Sequence, residues 1–156
     1  MKGFTPGLLD RLMVEPGAAG SALGVEQLKD SVARDLEALL NTRIALDVAH
    51  LDAYRHARAS ILHYGLIDFA GFCLTSSLDR AAVCASIEDA IATHEPRLQD
   101  ARAVLEPQAG DVNRLHFAIH ARINVDGLLE PVNFNAVLQP SSLHYEINRT
   151  ARPARG

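Results

Sequence analysis

The apolar residues of this chain change their repeat partway along, from helical spacing in the first half to strict alternation in the second. Between Val25 and Asn41, the residues Val25, Leu28, Val32, Leu36, Leu39 and Leu40 fall within an arc of about 120° at about 100° per residue. That is the width of a core-facing helical stripe, with Arg34 and Glu37 on or near the opposite side. Burying these six stabilises by on the order of 10 kcal/mol before entropy is counted. A second helix is predicted over Arg80 to His94, where Val83, Ile87, Ala90 and Ile91 share a face. Asp79 or Ser77 would cap it, and Pro96 ends it by pushing the preceding residue out of the α region. From Arg114 to Ile123 the period becomes 2. Leu115, Phe117, Ile119, Ala121 and Ile123 alternate with Arg114, His116, Ala118, His120 and Arg122, which is a strand with one buried face. Asp126-Gly127 is a strong turn signal. Val132 to Leu138 alternates again, Pro140-Ser141 makes the next turn, and Leu143, Tyr145 and Ile147 mark a further strand. A shorter one near Ala103 to Glu106 makes four. A helical pattern does not fit a strand, nor the reverse, so the expected class is α+β: two main helices packed on a small antiparallel meander sheet.

Between these regions, Ile44 to Gly71 has weak periodicity. Ser60 to Tyr64 reads as a helical turn, with Gly65 as the left-handed residue that closes it. Ahead of the first helix, Leu8, Leu9, Leu12 and Met13 have helical spacing and are followed by Glu15-Pro16-Gly17-Ala18-Ala19-Gly20, a run of breakers. So short a segment does not bury its apolar face alone. It docks on its own domain or on a partner, and the decoupling linker makes a partner the expectation. The organisation expected is a docking segment and linker over 1–24, one domain over 25–149 and a frayed tail over 150–156.

A chain of 156 residues suits one hydrophobic core. With 48% hydrophobic and 22% charged residues it has the composition of a folded globular domain rather than a disordered one. No apolar stretch approaches the roughly 18 residues of a membrane helix. Pro6, Gly7, Asp10 and Arg11 interrupt the start, so no secretory h-region forms there and a cytoplasmic location is expected. Net charge is −4 and the 15 basic residues are scattered, without the stripe a nucleic-acid partner requires. Only Lys2 and Lys29 among them are lysines, and arginine suits protein interfaces better than lysine. Cys73 and Cys84 match no zinc or redox spacing and read as small buried hydrophobes.

Candidate chemistry is sparse. His116, His120, His144 and Glu146 share the polar face of the sheet, but His116 and His120 lie about 13 Å apart along a strand, too far to share one ion. A solvated or partner-facing surface is expected there, with no metal and no cofactor. No phosphate loop or nucleophile elbow is present. A glycosidase needs two carboxylates about 5 to 9.5 Å apart across one cleft. Glu26 and Asp35, nine residues apart, point to opposite sides of the first helix, and no catalytic residue is assigned.

Several segments together resemble the TssE family of type VI secretion baseplate subunits, which is related to lysozyme-like baseplate wedge proteins of contractile-tailed phages. RDLEALLNTR (Arg34 to Arg43) is similar to the family's signature after its first long helix. SILHYGLIDFAG (Ser60 to Gly71) is similar to its Ser-x-x-x-Tyr-Gly-x-x-Asp stretch, and IEDAIATHEPRL (Ile87 to Leu98) contains its Glu-Pro-Arg motif. LLDRL (Leu8 to Leu12) and VNFNAVLQ (Val132 to Gln139) resemble its N-terminal element and a late strand. His94 departs from the family's usual aromatic. Asn41-Thr42-Arg43 and Tyr64-Gly65 fit the secretion branch better than the phage one.

The resemblance implies a non-enzymatic subunit of the baseplate wedge, bound near TssF and TssG, with TssK in the assembly, beneath the TssB–TssC sheath whose polymerisation it helps to start. It implies a cytoplasmic place on a baseplate at the inner membrane. The alternatives are a peptidoglycan-cleaving enzyme and a wedge protein of a phage or phage-like particle. An edge of such a sheet can accept a strand from a partner. The partner-binding residues implied are Glu95, Pro96 and Arg97 with Leu8, Leu9 and Leu12. An extended chain after Pro96 would send Leu98 inward and Arg97 outward. Against that stands an internal Glu95–Arg97 pair that pins helix to sheet.

Overall fold

Gly24 starts the first helix, α1 (Val25–Leu40), where the Gln27 side chain reaches back to accept the Gly24 N–H at 3.0 Å. This computed structural model describes residues 8, 12, 24–46, 48–69, 71–73, 76–106, 114–125 and 127–149. Of the six stripe residues, Leu28, Val32, Leu36, Leu39 and Leu40 are buried and Val25 is half-buried. Glu37 does not face away from the core as its position opposite the stripe implied. It is half-buried and accepts the main-chain N–H of Ile147 at 2.9 Å.

Two short helices, α2 (Val48–Leu51) and α3 (Arg55–Arg58), and a 3-10 turn (Ile61–His63) follow. Helix α4 (Ser77–His94) begins three residues before the expected start, because its N-cap is Ser76, whose hydroxyl accepts the Asp79 N–H at 3.4 Å. Asp79 lies inside the first turn, near the positive end of the helix dipole, and accepts the Cys73 N–H at 2.8 Å. Val83, Ile87, Ala90 and Ile91 are the buried face.

Strands β1 (Leu98–Glu106), β2 (Leu115–Val125), β3 (Leu128–Gln139) and β4 (His144–Arg149) form one antiparallel sheet in sequence order. Strand β1 starts five residues before the alternation reveals it. The ladder to β2 shifts register between Gln99 and Arg102, with Asp100 at φ +52°, and that bulge breaks the period of 2. The start of β3 was hidden for a related reason: its alternating burial sets in only at Val132. Pro131 is tolerated because β4 pairs with β3 only from Phe134 onward. Gly127 turns the β2–β3 hairpin at φ +85°, its N–H held by the Asn124 side chain at 2.9 Å. Asp126, expected beside it, and the tail 150–156 lie outside the described residues.

Both helices cover one face of the sheet. Tyr145, Phe117 and Phe134 are its largest buried side chains, packed with Ile119, Ile123 and Leu138 under Leu36, Leu39, Ile87 and Ile91. The two cysteines form no disulfide; Cys84 is half-buried, but Cys73 is exposed rather than buried as its residue type implied.

The segment after α1 joins this core through main-chain contacts. The Thr42 carbonyl accepts the Leu66 N–H, and the Leu66 carbonyl accepts the Ile44 N–H, each at 2.9 Å. Gly65 makes that approach possible: at φ +120°, a Cβ would sit 2.5 Å from the Thr42 oxygen.

Candidate functional site

Helix α4 gives out at His94, and the chain turns over Glu95, Pro96 and Arg97 before β1. Pro96 fixes its own φ and holds Glu95 out of the helical region, at φ −122° and ψ 77°. The turn folds Arg97 back on Glu95. Its Nε lies 2.6 Å from Glu95 Oε1, its Nη2 2.5 Å from Oε2, and its main-chain N–H 3.2 Å from Oε1. This is the bidentate fork that arginine makes with a carboxylate.

The same guanidinium crosses to α1, reaching Asp35 Oδ2 at 2.5 Å and Ser31 Oγ at 3.3 Å. Leu98 enters the core as expected, but Arg97 does not face outward; a turn, not an extended stretch, sets its direction. Glu95 is 4% exposed and the Arg97 side chain 28%. The Glu95 hydrogen bonds, then those of Asp35 and the two charges, push the Arg97 pKa up against the effect of burial, so it stays cationic. The internal pair is therefore formed, and it ties the end of α4, the start of β1 and the middle of α1 at one point.

His94, the departure from the family's aromatic, is absorbed locally. Its Nε2 lies 3.0 Å from the His63 carbonyl, and its ring meets Tyr64 edge-on at 5.2 Å. Burial pushes the Tyr64 hydroxyl pKa up, with the Asp35 and Glu95 carboxylates adding to it. The middle segment thus reaches the Glu95–Arg97 hub through Tyr64, and α1 through Gly65.

A second set of contacts closes α1 on β4. The Asn41 amide donates to the Tyr145 carbonyl and accepts the Tyr145 N–H, both at 2.8 Å. Arg43 donates to the carbonyls of Leu40 and Leu143, each at 2.8 Å, and its guanidinium carbon lies 5.9 Å from the centre of the Tyr145 ring. Asn41, Arg43, Tyr64, Gly65, Glu95 and Arg97, all quoted above from the resembling motifs, are here parts of one frame.

The other sequence candidates are dispersed. Leu8 and Leu12 are helical and about seven-tenths exposed; Leu9 lies outside the described residues. His120, His144 and Glu146 are exposed and His116 half-exposed on the outer face of the sheet, with His120 Nδ1 2.9 Å from Asn133 Oδ1. Glu26 and Asp35 engage different cations. Asp35 pairs with Arg97, while Arg149, with Lys29 beside it, holds Glu26 below the usual carboxylate range. Ser31 and Asp35 were not foreseen as partners of Arg97. Their one-turn spacing on α1 places them on one face, but nothing local signals a cation more than sixty residues away.

A family model described as baseplate wedge protein gp25 matches residues 26–127. No curated protein matches the chain. One chain of a solved structure, described as the baseplate complex from the type VI secretion system, is similar at 19% identity, with a TM-score of 0.49, over 73% of this chain and 96% of its own length.

Proposed function

The chain belongs to the gp25 family of baseplate wedge proteins, the TssE family, and on that premise we propose that it serves the type VI secretion branch by starting the contractile sheath. In this reading it sits in the wedge beside TssF and TssG, with TssK in the same assembly, and offers the first ring of TssB–TssC a surface on which to polymerise. That places it in the cytoplasm, on a baseplate held at the inner membrane. No described helix is long and apolar enough to cross a membrane.

The observation that carries the reading is the use made of the motif residues. Arg97 joins α4, β1 and α1, and Gly65 and Asn41 set main-chain contacts. A reactive site keeps its acid and base open to substrate, whereas the carboxylates of Glu95, Asp35 and Glu26 are each engaged by arginine. The secretion branch is favoured by Asn41-Thr42-Arg43 and Tyr64-Gly65. Leu8, Leu9 and Leu12 would dock on a wedge neighbour, and the open flank of Arg97, with Glu95 and Pro96 behind it, would meet another.

A tagged full-length chain should co-purify with TssF and TssG, and cells lacking it should form no fluorescent TssB sheaths. Sheaths assembling at normal frequency without the chain would remove the proposed role. Removing residues 1–13 should weaken the complex while leaving the melting temperature nearly unchanged. Pure protein should not clear a suspension of cell-wall material.

A further inference from the structure

The stretch from Ala45 to Leu62 is folded into helical turns but buries little. Of its described side chains only Leu51 is buried, while Tyr54 is 67% exposed, Ile61 85% and Leu62 50%. Fixing so much backbone costs conformational entropy that one buried leucine offsets poorly, and a helix of four residues does not hold alone. The inner side is tied down by α4: the His63 carbonyl meets His94, and Arg58 reaches Asp89 at 3.9 Å. The solvent side carries three large apolar residues within nine consecutive positions. Single exposed apolar residues need no explanation, but a cluster of them marks a surface that something covers.

The turns use up their own main-chain groups. The Tyr54 N–H donates to the Leu51 carbonyl at 2.9 Å. The N–H groups of Arg58, Ser60, His63 and Tyr64 donate to the carbonyls of Tyr54, Ala57, Ser60 and Ile61, each at 3.1 Å. A partner therefore meets side chains rather than an open ladder, and it binds by packing. An α-helix supplies the matching shape, an apolar stripe at spacings of three and four. Charge selects the flank of that helix. Arg58 engages both Asp52, at 3.0 Å, and Asp89, and residues 48–63 contain no other acid. Arg55, exposed in the same short helix α3, has no carboxylate partner among the described residues. Its planar fork suits a carboxylate.

We propose that Tyr54, Ile61 and Leu62 form a docking surface for one amphipathic helix of a partner protein, whose apolar stripe covers them and whose flanking Asp or Glu pairs with Arg55. The surface lies beside the Glu95–Arg97 turn, because His94, the residue before Glu95, holds the last carbonyl of the 3-10 turn. One partner can reach both. That the helix belongs to TssF or TssG rests on the reading in the preceding subsection; the surface and the chemistry of its occupant do not.

Hydroxyl-radical footprinting of the full-length chain, alone and bound to purified TssF–TssG, tests this. In the complex Tyr54, Ile61 and Leu62 should oxidise several-fold more slowly. On TssF–TssG the protected residues should recur at spacings of three and four, with an Asp or Glu beside them. Ile61→Glu, at the most exposed of the three positions, should melt like wild type and lose about tenfold in affinity or more. Arg55→Glu should lose more affinity at low salt than at high salt, and Arg55→Lys should bind between it and wild type. Binding with all three apolar residues as reactive as before, or with Ile61→Glu and Arg55→Glu both as tight as wild type, overturns the surface and leaves the wedge reading standing. Protection of every second residue on the partner would mean an extended strand and overturns the helix. Binding to vesicles of anionic phospholipid that Ile61→Glu abolishes, with its TssF–TssG affinity intact, gives the patch to a membrane and overturns the proposal. Failure of the wild type to bind TssF–TssG overturns the proposal and the wedge reading together.

Discussion

The flank where α1 closes on β4 and the flank where α4 closes on β1 do the same job with unlike contacts. Asn41 and Glu37 reach residues 104 and 110 positions away, and Asn41 satisfies a donor and an acceptor together, as another strand would. Glu88 takes the Ala103 N–H, only 15 positions away, with one carboxylate. Contacts of short separation cost little loop entropy and form early, while long ones are made only once the rest is in place. The α4–β1 hairpin is therefore the local unit, and the α1–β4 seam is what makes the domain one cooperative body. The fold spends its best side-chain hydrogen bonds on the closure that is hardest to reach.

Arg97 joins the two flanks, so its removal has the largest expected effect. Arg97→Ala leaves Glu95 buried without its cation, which costs about 3 kcal/mol, a drop of roughly 6–12 °C in melting temperature. Arg97→Lys keeps the charge but not the fork and should fall between. Thermal unfolding by circular dichroism measures both. A variant that melts like wild type yet fails to assemble would move Arg97 from the frame to the partner surface.

The seams themselves should separate next. Asn41→Ala strands two main-chain groups at the partly buried α1–β4 seam and should cost about 2 kcal/mol, whereas Glu88→Ala exposes Ala103 to water and should cost less than about 1 kcal/mol. Urea unfolding of the two variants decides this. Equal losses would mean that the two edges are closed equally well and would erase the contrast.

The sequence carried most of this architecture where a single period ran undisturbed. Leu28 to Leu40 and Leu115 to Ile123 were legible because each buries one face against one layer. The start of β1 was not, since a bulge at Asp100 puts neighbouring residues out of phase. The direction of Arg97 was misjudged because a turn, not the strand pleat, aims it. Glu37 and Glu88 were invisible as edge caps: a glutamate on a helix reads as solvated until the strand beside it is known. The Gly65 conformation was legible from the residue type, but the Thr42 oxygen it accommodates was not.

The smallest effect tests how completely the α1–β4 seam is satisfied. Both main-chain groups of Tyr145 are paired, yet its hydroxyl is buried with no hydrogen-bond partner among the described residues. Burial pushes its pKa well above the usual 10.0, with the Arg43 cation pulling the other way. An unfolded chain releases that proton near its ordinary value and the folded one holds it, so stability is unaffected below about pH 10 and falls as pH rises beyond it. Tyr145→Phe keeps the ring under Arg43 and removes the stranded hydroxyl. It should leave stability unchanged or raise it by up to about 1 kcal/mol at neutral pH. It should also flatten the alkaline loss, leaving the share due to Tyr64 and to the Cys84 thiol, both of which burial raises in the same direction. Melting temperatures from pH 8 to 11 for both proteins give the answer. A Phe variant clearly weaker at pH 7 would reveal a partner for the hydroxyl, and every polar atom of Tyr145 would then be paired.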